Sequence, residues 1–174
     1  MRGTHVCALA SALAAAIAAA GGCSVAQEES TYALPDRDQF IQGGVSEFLE
    51  KRCGALDCHG EVGRPLRIYS QYGLRLAEGD GGRRDTSATT PAERLENYRS
   101  VIGLEPEELS QSVLSQGVYV NFMLFLKPLG IESGGVRHKG GPVLRASEAD
   151  PGWVCLRTWV GGQVDTERCK EAAF

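Results

Sequence analysis

The sequence predicts a mostly α-helical domain with long loops. Apolar residues recur at helical spacing in several separate stretches of the chain. Two of these stretches carry start signals for a helix, the capping box of Thr90 and Glu93 and the Asp150-Pro151 pair. The alternation typical of strands occurs only in the short stretch 64–76, and glycine-rich stretches such as 134–141 indicate loops.

Residues 1–22 have the pattern of an export signal. Arg2 and His5 precede an alanine-rich apolar run, and small residues then lead to Cys23. This pattern resembles a bacterial lipoprotein signal, which implies that Cys23 is lipidated and anchors the protein to a membrane. Ordinary signal cleavage nearby is the alternative. Both predict an exported protein, periplasmic or anchored at the outer membrane.

The rest of the chain is long enough for one globular domain. The formal net charge of the 174 residues is −4, and no basic patch suitable for nucleic acid is visible. No second apolar run reaches the length of a membrane span. Residues 23–40 are polar and are interpreted as a tether to the anchor, with a loop or irregular strand packed on the domain as the alternative.

Helices are predicted at four places in the domain. Residues 38–53 have helical spacing, with a firm start near Val45 because two glycines precede it. Further helices are expected from Thr90 to a stop at Gly103 and from Pro106 to Gly117. The apolar stretch 118–126 is expected to be buried, Phe48 and Leu49 to form the core face of the first helix, and a final helix to cover 150–161.

The candidate site is the stretch 52–60, in which two cysteines, Cys53 and Cys58, are followed at once by His59. Two thiols and an adjacent imidazole can attach a haem, with the thiols binding its vinyl groups and the imidazole its iron. A disulfide between the two cysteines is one alternative. A metal site formed by all three side chains is another.

This motif, together with the His138 loop and the helix containing Trp153 and Trp159, resembles class I c-type cytochromes, with the cysteine spacing widened to four residues. The resemblance implies a single-haem, cytochrome c-like helical domain over 41–174, with 77–117 as a helical insertion. It implies one covalent haem c on Cys53 and Cys58. His59 becomes the proximal ligand of the iron, and Phe48 and Leu49 of the first helix face the terminal helix.

The resemblance also places the distal ligand in a loop before the last helix, which is the position of His138. Met123 or an empty sixth position are the alternatives for this ligand. A proline–leucine pair follows the motif in class I cytochromes, where the proline carbonyl orients the proximal histidine, and Pro65-Leu66 is the matching pair. The arginines nearby are interpreted as partners of the haem propionates or as solvated surface residues: Arg64, Arg67 and Arg75.

The function that follows from the resemblance is one-electron transfer to a redox partner protein that the sequence does not identify. No catalytic triad or phosphate loop is present, so an enzyme is not expected. A haem-free exported lipoprotein with a binding or structural role is the alternative. A haem with an open sixth position that binds a small ligand is a third possibility. Cys155 and Cys169 remain, and we predict that they form a disulfide worth about 3 kcal/mol.

Overall fold

Helices dominate the computed structural model, which describes residues 31–76 and 87–174. A mostly α-helical fold is thereby confirmed. The described residues contain no strand, and the predicted extended stretch 64–76 contributes one isolated bridge, between Tyr69 and Leu74. The helices are α1 (Arg37–Gln42), α2 (Val45–Arg52), α3 (Pro91–Ile102), α4 (Pro106–Leu114), α5 (Met123–Leu126), a 3₁₀ turn (Ile131–Ser133), α6 (Pro151–Val160) and α7 (Thr166–Ala172).

Local capping signals fix most of the helix ends. Thr90 and Glu93 form the predicted capping box of α3, and Gly103 caps its other end. The Asp150 side chain accepts a hydrogen bond from the Trp153 amide at the start of α6. Helix α4 ends at Leu114, before the predicted Gly117, because Gln116 and Gly117 both have left-handed backbone angles (φ 55° and 74°) that a right-handed helix excludes.

The apolar stretch 118–126 is only partly buried, which corrects the prediction for its first residues. Val118 is 84% exposed, whereas Phe122 and Phe125 are at most 1% exposed. The left-handed turn at 116–117 turns the chain onto the surface before it re-enters the core at Phe122. Pattern alone did not locate this boundary because apolar residues continue across it.

The segment preceding the first helix packs on the domain. The Tyr98 hydroxyl donates to the carbonyl of Pro35, and the Trp159 indole donates to the carbonyl of Asp36, both at 2.9 Å. Phe40 is fully buried against the Tyr98 and Trp159 rings. Residues 32–40 therefore follow the packed alternative. The export signal, Cys23, the start of the proposed tether and positions 77–86 of the proposed insertion lie outside the described residues.

Helix α2 packs against α6 and α7, and its C-terminal end leads into the candidate site. As predicted, Phe48 packs against α6, where a Cβ added at Gly152 would lie 3.0 Å from the Phe48 ring. Cys155 and Cys169 form the predicted disulfide, which joins α6 to α7. Helix α7 was not predicted. No helix in the described parts is both long and apolar enough to cross a membrane.

A buried ion pair joins Arg75 to Glu93 in the first turn of α3. The Arg75 guanidinium binds both oxygens of the Glu93 carboxylate, at 2.8 and 2.9 Å, and both side chains are at most 4% exposed. Arg75 is therefore neither a solvated arginine nor free to bind a propionate. Arg75 also donates to the carbonyls of Ser87 and Ala88, which holds the chain that leads into α3.

Candidate functional site

The loop that carries the Cys-Cys-His motif begins where α2 ends. Cys53 caps α2, with its amide bonded to the carbonyl of Leu49. The loop then closes on itself, because the His59 amide donates to the Cys53 carbonyl at 2.9 Å and the Cys58 amide to the Ala55 carbonyl at 2.9 Å. His59 therefore lies next to Cys53 in space, although four residues separate Cys53 from Cys58.

Close backbone packing supports this loop. A Cβ at Gly60 or at Gly73 would overlap the carbonyl oxygen of Gly54. The same oxygen accepts a hydrogen bond of 2.5 Å from the buried Ser70 hydroxyl. Glycine is required at these two positions because the backbones approach more closely than a side chain permits.

Cys53 and Cys58 are free, half-buried thiols. Burial, and then the neighbouring Cys58, raises the pKa of the Cys53 thiol to about 12. Burial and then Asp57 raise the pKa of Cys58. Both side chains are therefore neutral thiols at pH 7. The alternative disulfide between them is not formed in this structure, in contrast to the bond between Cys155 and Cys169.

The His59 ring is oriented by a backbone carbonyl. Its Nδ1 lies 2.9 Å from the carbonyl oxygen of Leu66, which can only accept, so Nδ1 carries the proton and Nε2 keeps its lone pair. The orienting carbonyl therefore belongs to Leu66 and not to Pro65. Burial lowers the pKa of His59, against the Leu66 bond and together with the nearby His138 and Arg64. The ring is neutral at pH 7, as a metal ligand must be.

His138 is held in the same tautomer by its own loop. Its Nδ1 lies 3.1 Å from the carbonyl oxygen of Gly141, so its Nε2 also keeps a lone pair. The base of the loop is closed by the carbonyl of Pro128, which accepts the amides of Val143 and Leu144 at 2.8 and 3.0 Å. Gly140 lies against the ring, since a Cβ there would be 3.2 Å from His138 Cε1.

The fold brings these two imidazoles together from distant parts of the sequence. Their ring centres are 6.0 Å apart and their planes are inclined by only 18°. A metal–imidazole bond is about 2.0 Å and a ring nitrogen lies about 1.2 Å from its ring centre, so two imidazoles on opposite sides of one metal have centres about 6.4 Å apart. The observed separation fits a shared metal.

The protein supplies few other donors for such a metal. Within 31–76 and 87–174, no group of three or more His, Cys, Asp or Glu residues is arranged to hold a metal ion. A site made of Cys53, Cys58 and His59 together is therefore not formed. Met123 lies at the first turn of α5, where its amide donates to the Glu105 carboxylate at 2.6 Å. Two imidazoles suit a metal whose other ligands come from a macrocycle.

Comparison with known protein families, curated proteins and solved structures finds no match. The site therefore rests on its own residues. Sequence reasoning singled out His59, His138 and the two cysteines but missed the carbonyl of Gly141 that orients His138. The glycines after His138 were the available signal, because they let the backbone turn back towards the ring.

Proposed function

We propose that this protein is an exported, cytochrome c-like electron carrier with one covalently attached haem c. Cys53 and Cys58 are its attachment residues, and His59 and His138 are its two axial ligands. The observation that carries the proposal is the pair of near-parallel imidazoles with ring centres 6.0 Å apart. Haem supplies four in-plane nitrogen ligands and a one-electron couple, so the protein needs to add only two donors.

The protein residues have distinct tasks in this role. The bonds from Nδ1 of His59 and His138 to backbone carbonyls fix the ring orientation and leave each Nε2 as a donor. Such carbonyl bonds also raise the basicity of an imidazole ligand. Two imidazole ligands favour a lower reduction potential than a histidine–methionine pair, as found in cytochromes c.

The wider context of the proposal comes from the sequence. The export signal over 1–22 delivers the chain to a compartment where haem attachment and disulfides occur together. Lipidation at Cys23 anchors it to a membrane, and its partner is another redox protein. If His59 and His138 both hold the iron, the haem would supply electron transfer alone and would leave no position for a substrate.

Covalent attachment is tested by mass spectrometry and a reduced pyridine haemochrome spectrum of protein exported by its native host. The expected result is one haem per chain, lost in the Cys53→Ser/Cys58→Ser double variant. A mass without haem, lower by two hydrogens for each cysteine pair and without a Soret band, would refute the proposal. The haem-free, disulfide-linked lipoprotein would then replace it.

Axial ligation is tested by carbon monoxide binding to the reduced protein. We expect slow binding in the wild type, because a strong ligand must first leave, and rapid binding in His138→Ala. Met123→Leu is the matched control and should behave as the wild type. Rapid binding in the wild type would indicate an open sixth position and would contradict ligation by His138.

A further inference from the structure

Residues 66–70 link the candidate site to helix α3. Burial alternates along this segment as it does in a strand, because Leu66, Ile68 and Ser70 are buried and Arg67 is exposed. On one side, the Leu66 carbonyl bonds to His59 Nδ1 at 2.9 Å and the Ile68 amide donates to the His59 carbonyl at 2.8 Å. On the same side, the Ser70 hydroxyl donates to the Gly54 carbonyl. One side of the segment is thus bonded to the motif loop.

The other side is bonded to two side chains of α3. The Asn97 amide group pairs with both backbone groups of Tyr69, accepting from its amide at 2.6 Å and donating to its carbonyl at 2.9 Å. One turn later, the Ser100 hydroxyl accepts from the Arg67 amide at 2.9 Å. The Asn97 side chain is fully buried, which shields its two bonds to Tyr69 from water, whereas the bond between Ser100 and Arg67 is exposed. The Asn97 and Ser100 side chains thus bind the backbone groups that a neighbouring strand would otherwise bind.

We propose that Asn97 and Ser100 are positioning residues for His59. Ser100 holds the Arg67 amide, which belongs to the same peptide group as the Leu66 carbonyl, and Asn97 holds Tyr69 two residues further on. Together they fix the Leu66 carbonyl, which sets the strength of the Nδ1 hydrogen bond of His59. Helix α3, which the resemblance assigns to an insertion, thereby adjusts the reduction potential of the haem. This inference rests on the proposed function.

The direction of the effect follows from the chemistry of the ligand. A strong Nδ1–H bond makes the imidazole a better electron donor, which favours the oxidised iron. Loosening the Leu66 carbonyl therefore raises the reduction potential. Loss of an outer hydrogen-bond partner changes the metal affinity of a site by about tenfold. For a one-electron couple, a tenfold change in affinity for one oxidation state corresponds to a shift of up to about 59 mV in the reduction potential.

The test compares the reduction potentials of the haem-loaded wild type and variants. Ser100→Ala removes one bond and should raise the potential, and Ser100→Thr, which restores a hydroxyl, should return it towards the wild-type value. Asn97→Asp keeps the acceptor for the Tyr69 amide but opposes its carbonyl, so it should change the His59 ring signals described below. Its added negative charge lowers the potential by itself, so the ring signals and not the potential are the readout for this variant. The matched control is Ser112→Ala, a buried serine whose hydroxyl bonds only within α4.

A second measurement reads the hydrogen bond directly. Nitrogen and proton NMR shifts of the His59 ring, in the diamagnetic reduced protein or in the same chain without haem, should change in Ser100→Ala and not in Ser112→Ala. Unchanged ring signals in both Ser100→Ala and Asn97→Asp, with an unchanged potential in Ser100→Ala, would overturn the inference, as would an equal shift in the control. Absence of haem in the wild type would refute the proposed function, while the NMR comparison would still decide the positioning role.

Discussion

Replacing the buried Glu93 should make the protein much less stable and change its response to acid. The carboxylate is 1% exposed and accepts five hydrogen bonds, two of them from Arg75. Glu93→Gln removes the negative charge that the buried Arg75 guanidinium binds through two hydrogen bonds. Loss of one partner of a buried pair costs about 3–5 kcal/mol, and we expect a loss of that size at pH 7.

The acid response follows from the pKa of Glu93. Burial raises this pKa, but the bonds from Arg75, Thr90 and Leu76 outweigh burial and lower it from 4.5 to about 2. A lowered pKa in the folded state means that the ionised carboxylate stabilises the fold above pH 4.5. This contribution, about 3 kcal/mol, is lost progressively as the pH falls from about 5 towards 2.

Urea denaturation at pH 7, 5, 4 and 3 measures both effects. The free energy of unfolding of the wild type should fall with pH more steeply than that of Glu93→Gln, so that the two curves converge in acid. Glu96→Gln, in a half-exposed residue of the same helix whose ion pair with Arg99 lies at the surface, should follow the wild type. The double variant Arg75→Met/Glu93→Gln should recover part of the loss, because it removes both buried charges. Parallel pH curves for the wild type and Glu93→Gln would refute this reasoning.

Two further perturbations address the last helices and the His138 loop. Cys155→Ala/Cys169→Ala opens a crosslink between residues 14 positions apart and should lower the free energy of unfolding by about 3 kcal/mol. A reductant should lower the urea midpoint of the wild type to that of the double variant. An unchanged midpoint would contradict the prediction. Gly140→Ala places a Cβ 3.2 Å from His138 Cε1 and should displace the ring, which accelerates carbon monoxide binding to the reduced, haem-loaded protein. Ser133→Ala, in the same loop but exposed, serves as control, and equal rates in both variants would show that the ring tolerates the contact.

Local chemistry made part of this fold predictable. The capping box at Thr90 and the Asp150 cap are satisfied by bonds within four residues, so the sequence is sufficient to indicate them. Helix α7 was missed because its seven residues have little apolar periodicity, and its burial depends on the disulfide at Cys169. The exposed start of the stretch 118–126 was missed because it follows from backbone angles at Gln116 and Gly117.

The candidate site divides in the same way. Each histidine was identifiable from its neighbours, and His138 is even oriented locally, by a carbonyl three residues away. The orientation of His59 depends on distant residues. The position of the Leu66 carbonyl depends on the backbone at Arg67 and Tyr69, which is bound by side chains about 30 residues further along the chain. A periodic pattern reports which face of α3 is apolar, but it does not report which backbone groups a polar residue such as Asn97 will bind.

The juxtaposition of the two imidazoles depends on the packing of the whole domain. Helix α2, packed against α6 and α7, fixes the place of His59, while the buried bridge between Leu129 and Leu144 closes the loop that carries His138. Each histidine uses Nδ1 for a bond to a backbone carbonyl. In the described parts of the chain, neither has a hydrogen bond at Nε2. Each ring is oriented through Nδ1, which leaves its Nε2 as the nitrogen that a metal would bind. Under the proposed function, one metal held by both half-buried imidazoles accounts for their orientation, their separation and the neutrality of His59 together.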